Sequence, residues 1–288
     1  MKNIVIGTRG SILALAQAES VKKIVEKEGY SCEIKIINTS GDMRLDVLSG
    51  NGILKEMFVK EIEEELLAGK IDIAVHSLKD VPSYLPKGLK IGATPLREEC
   101  RDTLVLRDGV KYEELGHGKI VGTSSIRRRA EIDGLISGCT VKEIRGNIHT
   151  RLNKLDSGEY DVLILAAAGL KRAGLEGRIS KLFDITEMTP APGQGAIAVE
   201  VRENDEEINI LMTKINDLKI EKAVKTEREF AAYFGGGCHS PVGAYCEIKD
   251  EMATLYGSVL RDGIMVKKSI SCRENEMDGL AERLYGEY

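Results

Sequence analysis

Apolar and polar positions along this chain follow two rhythms that take turns. Ile4 to Ile6 and Cys32 to Thr39 read as strands, the second with apolar residues at alternate positions. Between them, Ser11 to Glu28 carries apolar side chains at helical spacing and stops at Gly29. Helical spacing returns at Phe58, Val59, Ile62 and Leu66, and Gly69 then leads into an apolar strand, Ile71 to Val75. The acids among them, Glu61, Glu63, Glu64 and Glu65, read as a solvated helix face. Strand and helix alternating in this way favour a largely parallel sheet.

The rhythm then begins afresh. Ile120 to Gly122, Thr140 to Ile144 and Val162 to Ala166 read as strands, with helices over Arg127 to Ile136 and Ile148 to Leu155. Proline and glycine interrupt regular structure near Thr94-Pro95 to Arg101 and near Thr189-Pro190-Ala191-Pro192-Gly193, which marks two linkers. A short strand, Ala196 to Val201, follows the second linker and is expected to return to the first sheet. Beyond Leu218 come a helical stretch, the loop Gly235-Gly236-Gly237-Cys238, strands around 244–248, 253–259 and 264–270, and a helix over 276–284. The organisation expected is two similar α/β domains, residues 1–95 with 196–213 and residues 101–189, and a small α+β domain at 218–288.

Composition adjusts this picture in three respects. The chain has 288 residues, 42% hydrophobic, enough for full cores. No run is apolar for long enough to span a membrane, and Met1-Lys2-Asn3 leads straight into a strand without a signal-peptide core, so a cytoplasmic protein is expected. The six cysteines are scattered and form no Cys-x-x-Cys pair, so neither a metal site nor a disulfide framework is expected.

Charge is the informative departure. The chain is acidic overall, at a formal net charge of -5, yet between Lys119 and Lys154 eight basic residues face three acidic ones. Arg127, Arg128, Arg129, Arg145 and Arg151 lie beside Thr123-Ser124-Ser125 and Gly146-Asn147, which read as strand-to-helix turns. Helix N-termini attract anions, and guanidinium grips carboxylate or phosphate bidentately. Aromatics are 5% of residues and none is interleaved with these arginines, so a small polyanion is expected rather than nucleic acid.

Other candidates sit at comparable turns. Arg9 and Ser11 follow the first strand, where Arg9 reads equally as an anion ligand or a surface ion pair. His76-Ser77-Leu78-Lys79-Asp80-Val81-Pro82 follows the third, at the strand ends where open α/β sheets collect ligands. Asp80 there stabilises a cation or moves a proton, or else caps a turn beside a solvated Lys79; His76 alone is more often structural. Lys171 and Arg172 line a site or cap a helix C-terminus. Cys238, displayed after three glycines, is an accessible thiol or a buried hydrophobe. Two facing α/β domains would direct these basic loop ends into one cleft.

Together the motifs resemble the porphobilinogen deaminase family. The resemblance rests on Gly7-Thr8-Arg9-Gly10-Ser11, the His76 to Pro82 run, Gly122-Thr123-Ser124-Ser125-Ile126-Arg127-Arg128 and Arg145-Gly146-Asn147-Ile148-His149-Thr150-Arg151. It continues through Ala166 to Arg172, Pro192-Gly193-Gln194-Gly195 and the Cys238 loop. It implies two domains like type II periplasmic binding proteins and a third holding a covalent dipyrromethane through Cys238. It implies Asp80 as the catalytic carboxylate. Lys79, Thr123, Ser125, Arg127, Arg128 and Arg145 are implied to hold the cofactor, and Arg9, Ser11, Arg145, Arg151 and Arg172 the substrate. Lys55 and Phe58 match a lid over the site, with Phe58 stacking on a pyrrole ring.

The implied activity joins four porphobilinogen molecules, with loss of ammonia, into a linear tetrapyrrole. The implied protein is a monomer with no nucleic-acid or membrane partner. Two stretches depart from the family pattern: Asn51-Gly52-Ile53-Leu54-Lys55-Glu56-Met57, in place of a glycine-rich run, and His239-Ser240 after the anchor cysteine. Two rival readings are a solute-binding protein using the same cleft and an enzyme using Cys238 as a turnover nucleophile.

Overall fold

The structure, a computed structural model, describes residues 3–39, 53–235 and 241–288, with side chains from residue 59 in the helix that opens the second stretch. Lys55 and Phe58 have their side chains, and Cys238, His239 and Ser240 lie altogether, outside the described part.

The chain begins β1 (Asn3–Thr8), α1 (Ile12–Lys27), β2 (Ser31–Ile36), α2 (Ile53–Leu67), β3 (Ile73–Ser77) and β4 (Leu89–Ala93). It continues β5 (Asp102–Leu106), β6 (Ile120–Gly122), α3 (Ile126–Leu135), β7 (Thr140–Lys142), α4 (Ile148–Asp156), β8 (Val162–Ala166), α5 (Ala167–Arg172) and β9 (Lys181–Leu182). It ends β10 (Ile197–Arg202), α6 (Glu206–Ile215), α7 (Leu218–Ala232), β11 (Val242–Lys249), β12 (Met252–Arg261), β13 (Ile264–Arg273) and α8 (Leu280–Gly286). Two compact units result, residues 1–98 with 196–222 and residues 99–195 with 223–288.

The first unit holds a sheet of order β2-β1-β3-β10-β4. β1, β2 and β3 are parallel, and β10 enters antiparallel between β3 and β4. Side chains alternate between the two faces. Ile4, Ile6, Ile73, Val75, Ile197, Val199 and Val201 pack on α1 and α6, through Ala18, Val21, Val25, Leu211 and Met212. Ala74 points to the opposite face and packs with Ile62 and Leu66 of α2. Glu63 departs from its expected solvated setting: it is buried, with 7% exposed. It lies four residues after Val59 and three before Leu66, so helical geometry places it on the apolar side of α2.

The second unit repeats the arrangement, with order β7-β6-β8-β5-β9. In both sheets the parallel strands run second, first, third, and an antiparallel strand that follows a linker lies between the third and fourth. β10 thus returns to the first sheet as expected. β5 makes the reciprocal entry into the second, as a strand not named from the apolar rhythm, directly after the linker that ends at Arg101. Ile132 of α3 and Ile136, which caps its C-terminus, cover one face, and Leu152, Leu155 and Leu170 of α4 and α5 the other.

The carboxy-terminal sheet β11-β12-β13 has its own core against α7 and α8, centred on Phe230, Leu255, Leu280 and Leu284. Its contacts nevertheless assign it to the second unit. Two buried glutamates and one close approach of backbone explain why. Glu131 of α3, 2% exposed, accepts from Ser258 Oγ of β12 at 2.6 Å and pairs with Lys267 Nζ of β13 at 2.6 Å. Glu227 of α7, fully buried, accepts from the Gly193 and Cys246 amides at 2.8 Å each. Gly243 lies so close to the Thr189 carbonyl that an added Cβ would stand 2.7 Å from it, so only glycine fits.

Candidate active site

In the first unit β1 and β3 are parallel, so the residues after each lie at the same edge of the sheet. Arg9 and Ser11 follow β1, and Lys79 and Asp80 follow β3. Ser11 caps α1, its hydroxyl accepting from the Ala14 amide at 3.3 Å. Asp80, half-buried, ends a 3-10 turn, Leu78–Asp80, fixed on both flanks. Leu78, fully buried, donates its amide to the Ala196 carbonyl at 3.0 Å, and Val81 N–H closes on the Leu78 carbonyl. Before the turn, Ser77 Oγ accepts from Gln17 Nε2 of α1 at 2.8 Å. Before that, His76 Nε2 lies 3.1 Å from Glu200 Oε2 of β10.

The second unit presents an analogous edge at the ends of the parallel strands β6, β7 and β8. Ser125 caps α3 and accepts from the Arg128 amide; Asn147 caps α4 and accepts from the Thr150 amide. Thr123, buried, accepts from the Ser125 amide through its hydroxyl at 3.2 Å. Ser124 Oγ stitches the two basic loops together, donating to the Ile144 carbonyl at 2.7 Å and accepting the Ile144 amide at 3.1 Å. Gly146 holds φ +107, a conformation that favours glycine, and its carbonyl accepts from Arg151 Nε at 2.8 Å. Arg145 keeps 35% of its side chain exposed, with Glu143 3.6 Å away on the surface. Arg172 ends α5 and donates to the Gly195 carbonyl at 2.6 Å.

The helices α1, α3 and α4 carry no acid in their first turns, whereas α6 carries Glu206 and Glu207. The positive ends of the three edge helices therefore keep their full attraction for anions.

Arg127 and Arg128, implied by the motif to hold the cofactor, are engaged from within the second unit. Both are buried and both hold Asp102, itself 0% exposed. Arg127 Nη2 meets Asp102 Oδ2 at 2.6 Å, and its Nη1 donates to the Thr189 carbonyl at 2.6 Å. Arg128 reaches Asp102 Oδ1 through Nε at 3.0 Å and Nη2 at 2.8 Å, and the Ile164 carbonyl through Nη1. Gln194 Nε2 adds a bond to the same carboxylate at 2.9 Å. Burial alone would push the Asp102 carboxyl up; the two guanidiniums and Gln194 outweigh it and hold it at about 2.

Asp102 is absent from the residues picked out by sequence, and Gln194 enters there only within the Pro192-Gly193-Gln194-Gly195 motif, without a role. The available signal was a matter of charge balance: two adjacent arginines beginning a helix that must pack on a sheet require a buried acid, and Asp102 opens an apolar strand. Among the described cysteines, burial chiefly raises the Cys32, Cys139 and Cys272 thiols, Cys32 to about 11, and Cys100 and Cys246 are buried. The described residues include no metal-binding cluster and no helix long and apolar enough to cross a membrane.

With these loops in place, comparison with known families decides the relationship. A family model described as "Porphobilinogen deaminase, dipyromethane cofactor binding domain" matches residues 4–210, and one described as "Porphobilinogen deaminase, C-terminal domain" matches residues 221–283. The chain belongs to the porphobilinogen deaminase family. A porphobilinogen deaminase from Fusobacterium nucleatum is 46% identical over 92% of this chain and 90% of its own length. One from Geobacillus kaustophilus is 46% identical over 94% and 89%, and one from Clostridioides difficile 43% over 92% and 90%. The porphobilinogen deaminase motifs read from the sequence fall on the two sheet edges described above, apart from the Pro192-Gly193-Gln194-Gly195 run in the linker before β10, the Cys238 loop and the lid.

Proposed function

We propose that this chain is a transferase that condenses four porphobilinogen molecules head to tail, with loss of ammonia, into the linear tetrapyrrole hydroxymethylbilane. The observation that carries this reading is family membership over both matched regions, with the family's motif residues gathered at the C-terminal ends of parallel strands. Porphobilinogen bears an acetate, a propionate and an aminomethyl group, so each added ring brings two carboxylates. Arginine-rich edges backed by acid-free helix N-termini suit such a polyanion.

The donor set fits the dipyrromethane named in the family description, because that group also carries acid side chains. Lys79, Thr123, Ser125, Arg128 and Arg145 would hold it, and Cys238 would attach it as a thioether. When bound, it supplies the pyrrole α-carbon to which the first substrate ring is joined. Arg127 serves the same group from beneath, by fixing Asp102 and through it Arg128. Arg9, Ser11, Arg145, Arg151 and Arg172 bind substrate carboxylates. Lys55 and Phe58 close over the site.

Asp80 performs the central task. Its carboxylate accepts hydrogen bonds from pyrrole N–H groups and stabilises the positive charge that develops on the ring as ammonia departs. It also assists proton transfer as the amine departs. A cytoplasmic monomer without nucleic-acid or membrane partners completes the proposal.

Intact-mass measurement on active protein tests the reading. A mass excess equal to two linked pyrrole units, absent from Cys238→Ser, is expected. Active protein at the bare polypeptide mass would reject the tethered group, and protein that forms no linear tetrapyrrole from porphobilinogen would reject the activity.

A further inference from the structure

The first unit buries one histidine–carboxylate pair on the way to Asp80. His76 and Glu200 have side chains 4% and 1% exposed, with Nε2 and Oε2 3.1 Å apart. Glu200 Oε1, equally buried, has no hydrogen-bond partner among the described residues. In the β3–β10 register Glu200 pairs with Ala74 and His76 with Ala198, so the two side chains meet diagonally on the face that Ala74 shares with the apolar residues of α2. Burying two such groups among Ile62, Leu66 and Ala74 is costly, and a pair of packed apolar side chains would hold the same two strands at least as well. Strand pairing alone therefore does not account for their presence.

Their placement supplies a reason. β3 passes directly into the turn that ends at Asp80, and each residue on the way has an anchor. Glu200 holds His76, Gln17 holds Ser77, and the Ala196 carbonyl holds Leu78. Glu200 and Ala196 both flank or belong to β10, so a single strand sets where the turn begins and the direction of its first peptide. We propose that His76 and Glu200 are a positioning pair for Asp80: the hydrogen bond fixes the rotation of the β3 end, and with it the reach of the Asp80 carboxylate. A reacting group displaced by about 1 Å can lose on the order of 100-fold in rate. The inference rests on the reading of Asp80 as the reacting carboxylate.

The experiment uses full-length enzyme carrying its tethered pyrroles, verified by intact mass, and measures kcat and KM for porphobilinogen with thermal melts. In His76→Leu/Glu200→Leu the apolar pair keeps the melting temperature at or above that of the parent, while kcat falls at least tenfold and KM stays within about twofold. Glu200→Gln, which still accepts from His76, keeps kcat within about threefold. In an Asp80→Asn background the double leucine replacement lowers the residual rate less than twofold, because the group it positions is already disabled.

Parental kcat in the double variant overturns the proposal. So does a full tenfold further loss in the Asp80→Asn background, or a change in KM alone. A parent enzyme that makes no tetrapyrrole refutes the proposed activity instead, and the two failures are thereby separate.

Discussion

Replacing Asp102 by Asn isolates the electrostatic core of the second unit. The carboxylate is wholly buried and receives Arg127, Arg128 and Gln194 at 2.6 to 3.0 Å. Its fall from the ordinary 3.8 to about 2 corresponds to roughly 2 kcal/mol of stability near neutral pH. Removing the charge costs more than that, because two guanidiniums remain buried against a neutral amide; broken buried pairs cost about 3–5 kcal/mol. For a unit of this size the melting temperature moves ~2–4 °C per kcal/mol, so a drop of about 10 °C is expected by calorimetry at pH 7. The pH dependence has a definite direction. A depressed carboxyl stabilises the fold fully above 3.8 and loses its contribution as pH falls through about 2. The gap between parent and variant should hold from pH 7 to pH 4 and close towards pH 2. A variant melting within 2 °C of the parent at pH 7, or a gap that widens in acid, would refute the reasoning.

Three further outcomes are expected. Asp80→Asn should melt like the parent and retain the tethered pyrroles, yet slow ring addition at least 100-fold in a single-turnover assay; near-parental turnover removes Asp80 from the chemistry. Arg145→Leu, which alters a side chain 35% exposed and weakly paired with Glu143, should change stability by less than about 1 kcal/mol while blocking early ring addition, read as the distribution of enzyme-bound oligomers by mass. With iodoacetamide at pH 8, peptide mapping should find Cys32 at least tenfold slower than a free thiol, Cys139 and Cys272 also slower, and Cys238 unreactive, because burial suppresses the first three thiolates and a thioether protects the last. Rapid labelling of Cys238 in active enzyme would contradict the tether.

Local pattern carried most of the architecture. The strands and helices that place Arg9, Ser11, Asp80, Arg145 and Arg151 could be read because each rhythm change, glycine stop and serine or asparagine cap acts within a few residues. β5 was obscured because its five residues sit directly against a proline-containing linker, and its partner β8 lies some sixty positions away in the chain. The same separation hid the charge network. Asp102 meets arginines 25 and 26 positions later, Glu131 meets Ser258 across 127 positions, and Glu227 reaches Gly193 across 34. Only tertiary packing reveals which charges are desolvated. Glu63 was misplaced for a nearer reason: four acids within five residues look like one polar face, yet successive helical side chains turn by about 100°.

The antiparallel strand inside each sheet also has a consequence for synthesis. The second sheet has all its strands once Leu182 has been made, whereas β3 and β4 of the first stay apart until β10, residues 197–202, slides between them. A nascent chain therefore displays the bare edge of β3, four of whose five residues end up buried, for more than a hundred residues of translation. The sheet that begins first is obliged to finish second, and any truncation short of Ile197 leaves Asp80 on a strand one of whose two neighbours never arrives.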